Sequence, residues 1–307
     1  MGKIPVIQTF EITKLYGDTP ALNNVSITVN KGDIYGFVGR NGAGKTTLIR
    51  VLCNLIFPNS GTYAINGESD PSRLREIAPK IASMVENPAL YLDMTGEDNL
   101  KSRCFLYGIK PTPDIINNRL VEVGLESIIG TSKKAKDYSL GMKQRLGIAM
   151  ALMGDPEILL LDEPTNGLDP DGIKEVRDLL IDINKNRNVT ILISSHILSE
   201  LSKLATRFGF IEKGVLVKEI SQEDLIKLEG RSLTIESTNP NKLIEVVKKK
   251  LPHAKFEIQG NVVIFFHISN TLDIINFIMK EKVEMTDFFT TENSLEDYFL
   301  RLISEVK

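Results

Sequence analysis

The chain is poor in cysteine, has no apolar run long enough to span a bilayer and carries no excess of basic charge. Its 307 residues include only 2 cysteines, Cys53 and Cys104, in apolar settings and at no ligand spacing. They read as core thiols of a reducing compartment rather than as a disulfide framework or a metal knuckle. A membrane-crossing helix needs roughly 20 consecutive apolar residues, whereas the best runs here, Ile158–Leu161 and Val262–Phe266, are strand-length. Lys+Arg 37 against Asp+Glu 40 leaves a net charge of −3, which offers no global field for gripping nucleic acid. A bound polyanion must be held by a local site. The amino end, Met1-Gly2-Lys3-Ile4-Pro5-Val6, lacks the apolar core of a secretion signal and the Ser/Thr of a myristoylation signal, so neither export nor acylation is expected. Fixed-period repeats and low-complexity tracts are absent as well.

What is present is the composition of a folded chain, 42% hydrophobic and 25% charged. Alternation from Val6 to Ile12, a break at Tyr16-Gly17-Asp18 and a second run from Val25 to Val29 predict an antiparallel β opening. Ile34–Val38 then empties into a Gly-rich loop followed by a helical pattern over Thr46–Leu52. From about Pro88 to Met153 the strand runs vanish and helical periodicity takes over, which predicts a mostly helical insert. Strands return at Ile158–Leu161, Val189–Ser194 and Phe208–Ile211, with a helix from Gly172 to Asn186, the alternation of a parallel, helix-covered sheet. After Val217 the texture changes. Ser221-Gln222-Glu223-Asp224 reads as a helix cap, and beyond Gly230 come strand 232–236, helix 241–251, strand 255–258, strand 262–267, helix 272–280, strand 284–289 and helix 295–303. That βαββαβ order predicts a small ferredoxin-like α+β module, with Phe265, Phe266, Phe288, Phe289, Tyr298 and Phe299 as its core and its dimer or cassette packing rather than a drug-binding box. Lys248–Lys250 read as a solvated helix end.

Gly39-Arg40-Asn41-Gly42-Ala43-Gly44-Lys45-Thr46 satisfies G-x-x-x-x-G-K-[ST] between a strand and a helix, the context that gives the pattern meaning. Glycines let the backbone wrap a phosphate chain with its N–H groups inward, and the helix adds its positive end. Lys45 brings a full charge to the terminal phosphates, and the Thr46 hydroxyl suits Mg²⁺. Downstream, the apolar strand Ile158–Leu161 ends in Asp162 and Glu163, at the edge where a parallel sheet presents side chains to a ligand. Asp162 suits a metal's water shell; Glu163 can reach a water aimed at the γ-phosphate.

With Tyr138-Ser139-Leu140-Gly141-Met142-Lys143-Gln144-Arg145 shortly before Asp162-Glu163-Pro164-Thr165-Asn166-Gly167-Leu168-Asp169-Pro170, the chain resembles the ATP-binding cassette (ABC) ATPases over about residues 5 to 220. The resemblance implies a P-loop NTPase cassette at 1–220 with an antiparallel β subdomain and a helical subdomain at about 88–153, followed by an accessory domain at 221–307. ATP and Mg²⁺ are the implied cofactors. Tyr16 would stack on adenine, Gly39, Asn41, Gly42, Ala43, Gly44, Lys45, Thr46 and Thr47 would form the nucleotide cradle, and Thr46 and Asp162 would serve the metal. Ser139 and Gly141 would close on the ATP of a second subunit, Asp169 would communicate across that dimer, and His196 would sense the γ-phosphate and orient the catalytic Glu163.

Two departures narrow the reading. The signature's usual Ser-Gly-Gly-Gln is here Ser139-Leu140-Gly141-Met142, and the hinge into the helical insert carries Glu86, before Asn87-Pro88, where the family usually has Gln. Both resemble the bacitracin-resistance and lantibiotic self-protection branch. A carboxylate only accepts hydrogen bonds and adds charge beside Asp162 and Glu163, so Glu86 is expected among the metal-side groups. One cassette per chain implies a homodimer or a pair with a sibling chain. A chain without a spanning helix implies a separate permease and a position at the inner face of the cell membrane. Export of a peptide antibiotic or similar amphiphile is the leading expectation. A soluble ATPase acting on ribosomes or nucleic acid is the alternative, which the acidic balance disfavours, and direct nucleic-acid binding is not expected. A third reading, a non-catalytic ATP switch, is disfavoured by the presence of Glu163 and His196.

Overall fold

The computed structural model describes residues 4–70, 73, 78–86, 88–226, 230–266, 268, 270–293, 298–300 and 302. The chain divides into two compact units, Met1–Ile220 and Ser221–Lys307.

The first unit is built on two sheets. Strands β1 (Pro5–Tyr16), β2 (Thr19–Val25), β3 (Thr28–Asn30) and β5 (Ser60–Ile65) form an antiparallel sheet in which β1 pairs with the other three. The second sheet runs β10-β9-β4-β8-β7-β6, with β4 (Ile34–Val38), β6 (Ile81–Met84), β7 (Ile158–Asp162), β8 (Thr190–Ser195), β9 (Arg207–Glu212) and β10 (Val215–Ser221). Neighbours from β9 through β6 are parallel. Strands β4, β7 and β8 are buried at every position, as their continuous apolar sequences require of strands covered on both faces. Ile7 and Val29 of the first sheet pack with Phe37, Leu160 and Leu192 of the second and with Leu48 and Ile49 of the helix Lys45–Leu52. That shared core fixes the β subdomain to the loop that leaves β4.

The insert between β6 and β7 carries the helices Gly96–Leu106, Pro113–Glu122 and Leu140–Ala151. Thr95, Thr112 and Ser139 cap their first turns through side-chain oxygens, and Asp169 does the same for the helix Pro170–Arg187. The sequence leaves strand β2 and strand β5 unread. β2 contains Pro20, Asn23 and Asn24, which disfavour strands, and adopts its form through pairing with β1 across register shifts.

In the second unit, β11 (Gly230–Glu236), the helix Pro240–Lys250, β12 (Lys255–Gln259), β13 (Val262–Phe266), the helix Thr271–Lys280 and β14 (Asp287–Asn293) follow in that order. The sheet is antiparallel with order β12-β13-β11-β14. Leu233, Ile235, Val263 and Phe265 pack with Leu243, Val247, Ile274 and Ile278 in its core. Phe288 and Phe289, on the edge strand β14, are 44% and 53% exposed and so are not core residues of this unit. Phe265 and Phe299 are buried and Phe266 and Tyr298 half-buried. Of the expected helix 295–303, only 298–300 and 302 fall among the described residues. The lysines at the end of the first of these helices are engaged: Lys249 with Glu281, Lys250 with Asp273, and Lys248 over the Phe256 ring.

Candidate active site

The loop between β4 and the helix Lys45–Leu52 is shaped by glycine. Gly42 and Gly44 have φ of 80° and 112°, in the left-handed region that favours glycine. A Cβ on Gly44 would lie 2.4 Å from the Ala21 carbonyl oxygen, so no other residue fits. Six other helices have their first turns capped by a side chain, but no side chain among the described residues caps the helix at Lys45. Its leading N–H groups are left for an anion, at the positive end of the helix dipole.

Six side chains, Lys45, Thr46, Asp162, Glu163, Ser194 and His196, are joined in one network beside this loop. Lys45 is 4% exposed, and its Nζ donates to the carbonyls of Gly39 (2.7 Å) and Arg40 (3.1 Å) while lying 3.0 Å from Glu163 Oε1. The Thr46 hydroxyl donates to Asp162 Oδ2 at 2.7 Å, and the Ser194 hydroxyl donates to Asp162 Oδ1 at 2.7 Å. Ser194 Oγ in turn accepts from the Glu163 backbone N–H at 2.9 Å. His196 Nδ1 lies 3.0 Å from Glu163 Oε2; because an ionised carboxylate only accepts, the ring supplies the N–H. Glu163 adopts φ of 46°, an uncommon backbone conformation for a residue with a Cβ and one that clusters at functional sites. It turns the chain out of β7 while its side chain bridges Lys45 and His196.

Lys45, Thr46, Asp162 and Glu163 border a cavity of about 460 Å³ lined also by Asn41, Gly42, Gly44, Thr47, Ala21, Glu86, Leu140, Gln144 and Asn166; Ser194 and His196 do not line it. That size suits a cofactor-sized ligand. Within the sheet, β8 lies between β4 and β7, which is why Ser194 links the Asp162 carboxylate to the Glu163 backbone. Sequence reasoning missed Ser194; its only signal was its place two residues before His196 at a strand end. Glu86 reaches the cavity wall at φ of 63°, and its carboxylate is paired with Arg50 from the last turn of the helix Lys45–Leu52. Tyr16 is half-exposed at the end of β1 beside the Lys14 ammonium, 5.6 Å from the ring centroid, and is not a lining residue of the cavity. Ser139 and Asp169 are engaged as caps, accepting from Met142 N–H and Gly172 N–H at 3.2 and 3.1 Å. A Cβ on Gly141 would approach no atom closer than 3.9 Å, from Leu168.

No group of three or more His, Cys, Asp and Glu side chains suited to a metal occurs among the described residues. The oxygens of Thr46 and Asp162 alone match a cation that keeps water and takes its other ligands from a phosphate substrate, the habit of Mg²⁺. No helix among the described residues is long and apolar enough to cross a membrane.

The family model described as ABC transporter matches residues 22–166. The chain is 41% identical over 300 residues to the bacitracin transport ATP-binding protein BcrA of Bacillus licheniformis, covering 97% of each chain. It belongs to the ABC transporter family. Within that family it is also 42% identical over 219 residues to the lantibiotic transport ATP-binding protein SrtF of Streptococcus pyogenes, covering 71% of this chain and 92% of that one. Among solved structures it is similar to the dimeric bacterial ABC transporter cassette MJ0796, with a TM-score of 0.62 and 25% identity over 70% of this chain and 98% of that one. As an ATP-binding member of the ABC family it is an ATPase, and its first unit has the ABC cassette fold.

Proposed function

We propose that this chain is the motor of an exporter of peptide antibiotics, acting as a homodimer on a separate permease at the inner face of the cell membrane. The observation that carries the reading is the likeness to the bacitracin transport protein, which covers 97% of the chain and therefore includes the second unit as well as the cassette. The likeness to the lantibiotic transport protein spans 219 residues and points to the same substrate class.

In this reading residues 1–220 are the nucleotide-binding domain, with its helical subdomain at about 88–153, and residues 221–307 are an accessory domain of ferredoxin-like fold. The strand order β12-β13-β11-β14 supports that fold. Gly39, Asn41, Gly42, Ala43, Gly44 and Thr47 cradle the phosphates of ATP, and Lys45 neutralises the terminal ones. Thr46 and Asp162 hold Mg²⁺, which offsets phosphate charge when bound; Glu86 enters that set only by leaving Arg50. Glu163 accepts a proton from the attacking water, and His196 holds the Glu163 carboxylate in place through Nδ1. Ser139 and Gly141 meet the partner copy's ATP, with Ser139 at the N-terminus of its helix. Asp169 signals across the dimer and Tyr16 stacks on adenine.

The test is co-expression with the polytopic membrane protein encoded beside it in a bacitracin-sensitive host. The expected result is co-purification from membranes and resistance that Glu163→Gln abolishes. Purification with ribosomes or DNA in place of a membrane protein would overturn the reading.

A further inference from the structure

Ser139 and Asp169, read as acting across the dimer, stand at the starts of two helices that lie side by side. Ser139 caps the helix Leu140–Ala151 and Asp169 the helix Pro170–Arg187. A Cβ on Gly141 would lie 3.9 Å from Leu168 and 4.0 Å from the Gly172 Cα. Further along both helices, Arg145 Nη2 lies 3.2 Å from Glu175 Oε2. Contacts in the same order along both helices mean that they run in the same direction, so their dipoles oppose the pairing. Specific contacts must hold the two starts together. Leu140, where the family's usual signature has glycine, supplies one: its Cδ2 is 3.3 Å from the place of a Cβ on Gly167, in the loop before Asp169.

Arg145 supplies the other, and it reaches a third helix. Its side chain is 14% exposed, and its Nη1 donates to the Gly124 carbonyl at 2.7 Å, just beyond the helix Pro113–Glu122. A Cβ on Gly124 would come within 2.9 Å of that nitrogen. Arg145 Nε is buried with no hydrogen-bond partner among the described residues, a cost that an apolar side chain in the same slot would not carry. What an arginine adds there is the planar fork, with one nitrogen on Gly124 and the other on Glu175.

We propose that Arg145 is a positioning residue: through Glu175 it holds the starts of the two helices in one arrangement, so that Ser139, Gly141 and Asp169 meet the partner copy as a preformed surface. This rests on the proposed homodimer and deepens it, because a surface already in register avoids part of the ordering cost of association. The insert keeps a separate tie to the far end of the helix Pro170–Arg187, where Arg187 Nε lies 2.7 Å from Glu122 Oε1. Loss of the Glu175 contact therefore leaves the fold in place.

The test uses the full chain carrying Glu163→Gln, with dimerisation measured against protein concentration in ATP and Mg²⁺. Glu175 is 54% exposed, so Glu175→Ala removes the ion pair without opening a cavity. The added change is expected to keep the melting temperature and the ATP affinity, since such pairs contribute little to stability. The dimer dissociation constant is expected to rise about tenfold or more, because each dimer loses two pairs. Glu175→Gln, which keeps an acceptor oxygen for the guanidinium, is expected to recover most of that loss. Arg145→Met with Glu175→Ala is expected to dissociate no more readily than Arg145→Met alone. An unchanged dissociation constant in Glu175→Ala, a loss that only follows a lowered melting temperature, or additive losses in the double variant overturns the inference and leaves the homodimer standing. A Glu163→Gln chain that stays monomeric overturns the homodimer and the inference with it.

Discussion

The Lys45 ammonium lies 3.0 Å from the Glu163 carboxylate. With the Gly39 and Arg40 carbonyls it completes the three contacts that an ammonium can donate. An incoming phosphate must therefore displace one of them, and only the Glu163 contact carries negative charge. In the proposed function, ATP on arrival would neutralise Lys45 with phosphate and free Oε1 of Glu163 to face a water, while Oε2 stays on His196.

Glu163→Gln removes both the ion pair with Lys45 and the proposed proton acceptor. General-base assistance is worth roughly 10²–10⁴-fold, so kcat should drop by at least about a hundredfold while ATP still binds. Gel filtration with ATP and Mg²⁺ should show a lasting dimer. A variant that stays strictly monomeric under those conditions contradicts the proposed homodimer.

Ser194→Ala takes away the hydroxyl that donates to Asp162 and accepts from the Glu163 N–H. Both buried groups lose a partner, a cost on the order of 1–3 kcal/mol. A lower melting temperature and a weaker Mg²⁺ dependence of ATP turnover are the expected readouts, and Ser194→Thr, which keeps the hydroxyl, should recover most of both.

Glu86→Gln releases Arg50 from its ion pair and replaces a carboxylate on the cavity wall with an amide. The pair is exposed, so stability should change by less than about 1 kcal/mol. ATPase activity should instead shift in its dependence on Mg²⁺ and pH, because the wall loses a negative charge. Superimposable profiles for the two proteins would remove Glu86 from the metal-side groups.

Burial pushes the Cys53 thiol up to about 11, with Asp162 acting in the same direction and a hydrogen bond involving Ser83 opposing. Near neutral pH Cys53 therefore remains a thiol. Reaction with a disulfide reagent should be about a hundredfold slower than for an ordinary cysteine and should accelerate as pH rises toward 11. Rapid labelling at neutral pH would show that the site opens in solution.

The local elements were readable because each is written in adjacent residues. Strand β4, the glycines at 42 and 44 and the helix from Lys45 follow one another within a single motif, and the helical insert announces itself by periodicity. Strands β2 and β5 were not legible, since polar residues and glycine occupy them and the pairing to β1 holds them in place. Ser139 and Asp169 stand at residues the motifs name, and both also cap helices, a local role that any Ser or Asp at such a position can fill.

Sequence alone determined that this chain carries a phosphate loop, a strand ending in paired carboxylates and a βαββαβ segment after the cassette, because these depend on neighbours in the chain. Tertiary structure alone decided that β8 lies between β4 and β7, that Ser194 therefore links Asp162 to the Glu163 backbone, and that Glu86 answers to Arg50. Those relationships join residues 31 to 36 positions apart. Spacing along the chain cannot encode them; the order of strands in the sheet and the packing of the helix behind the loop do.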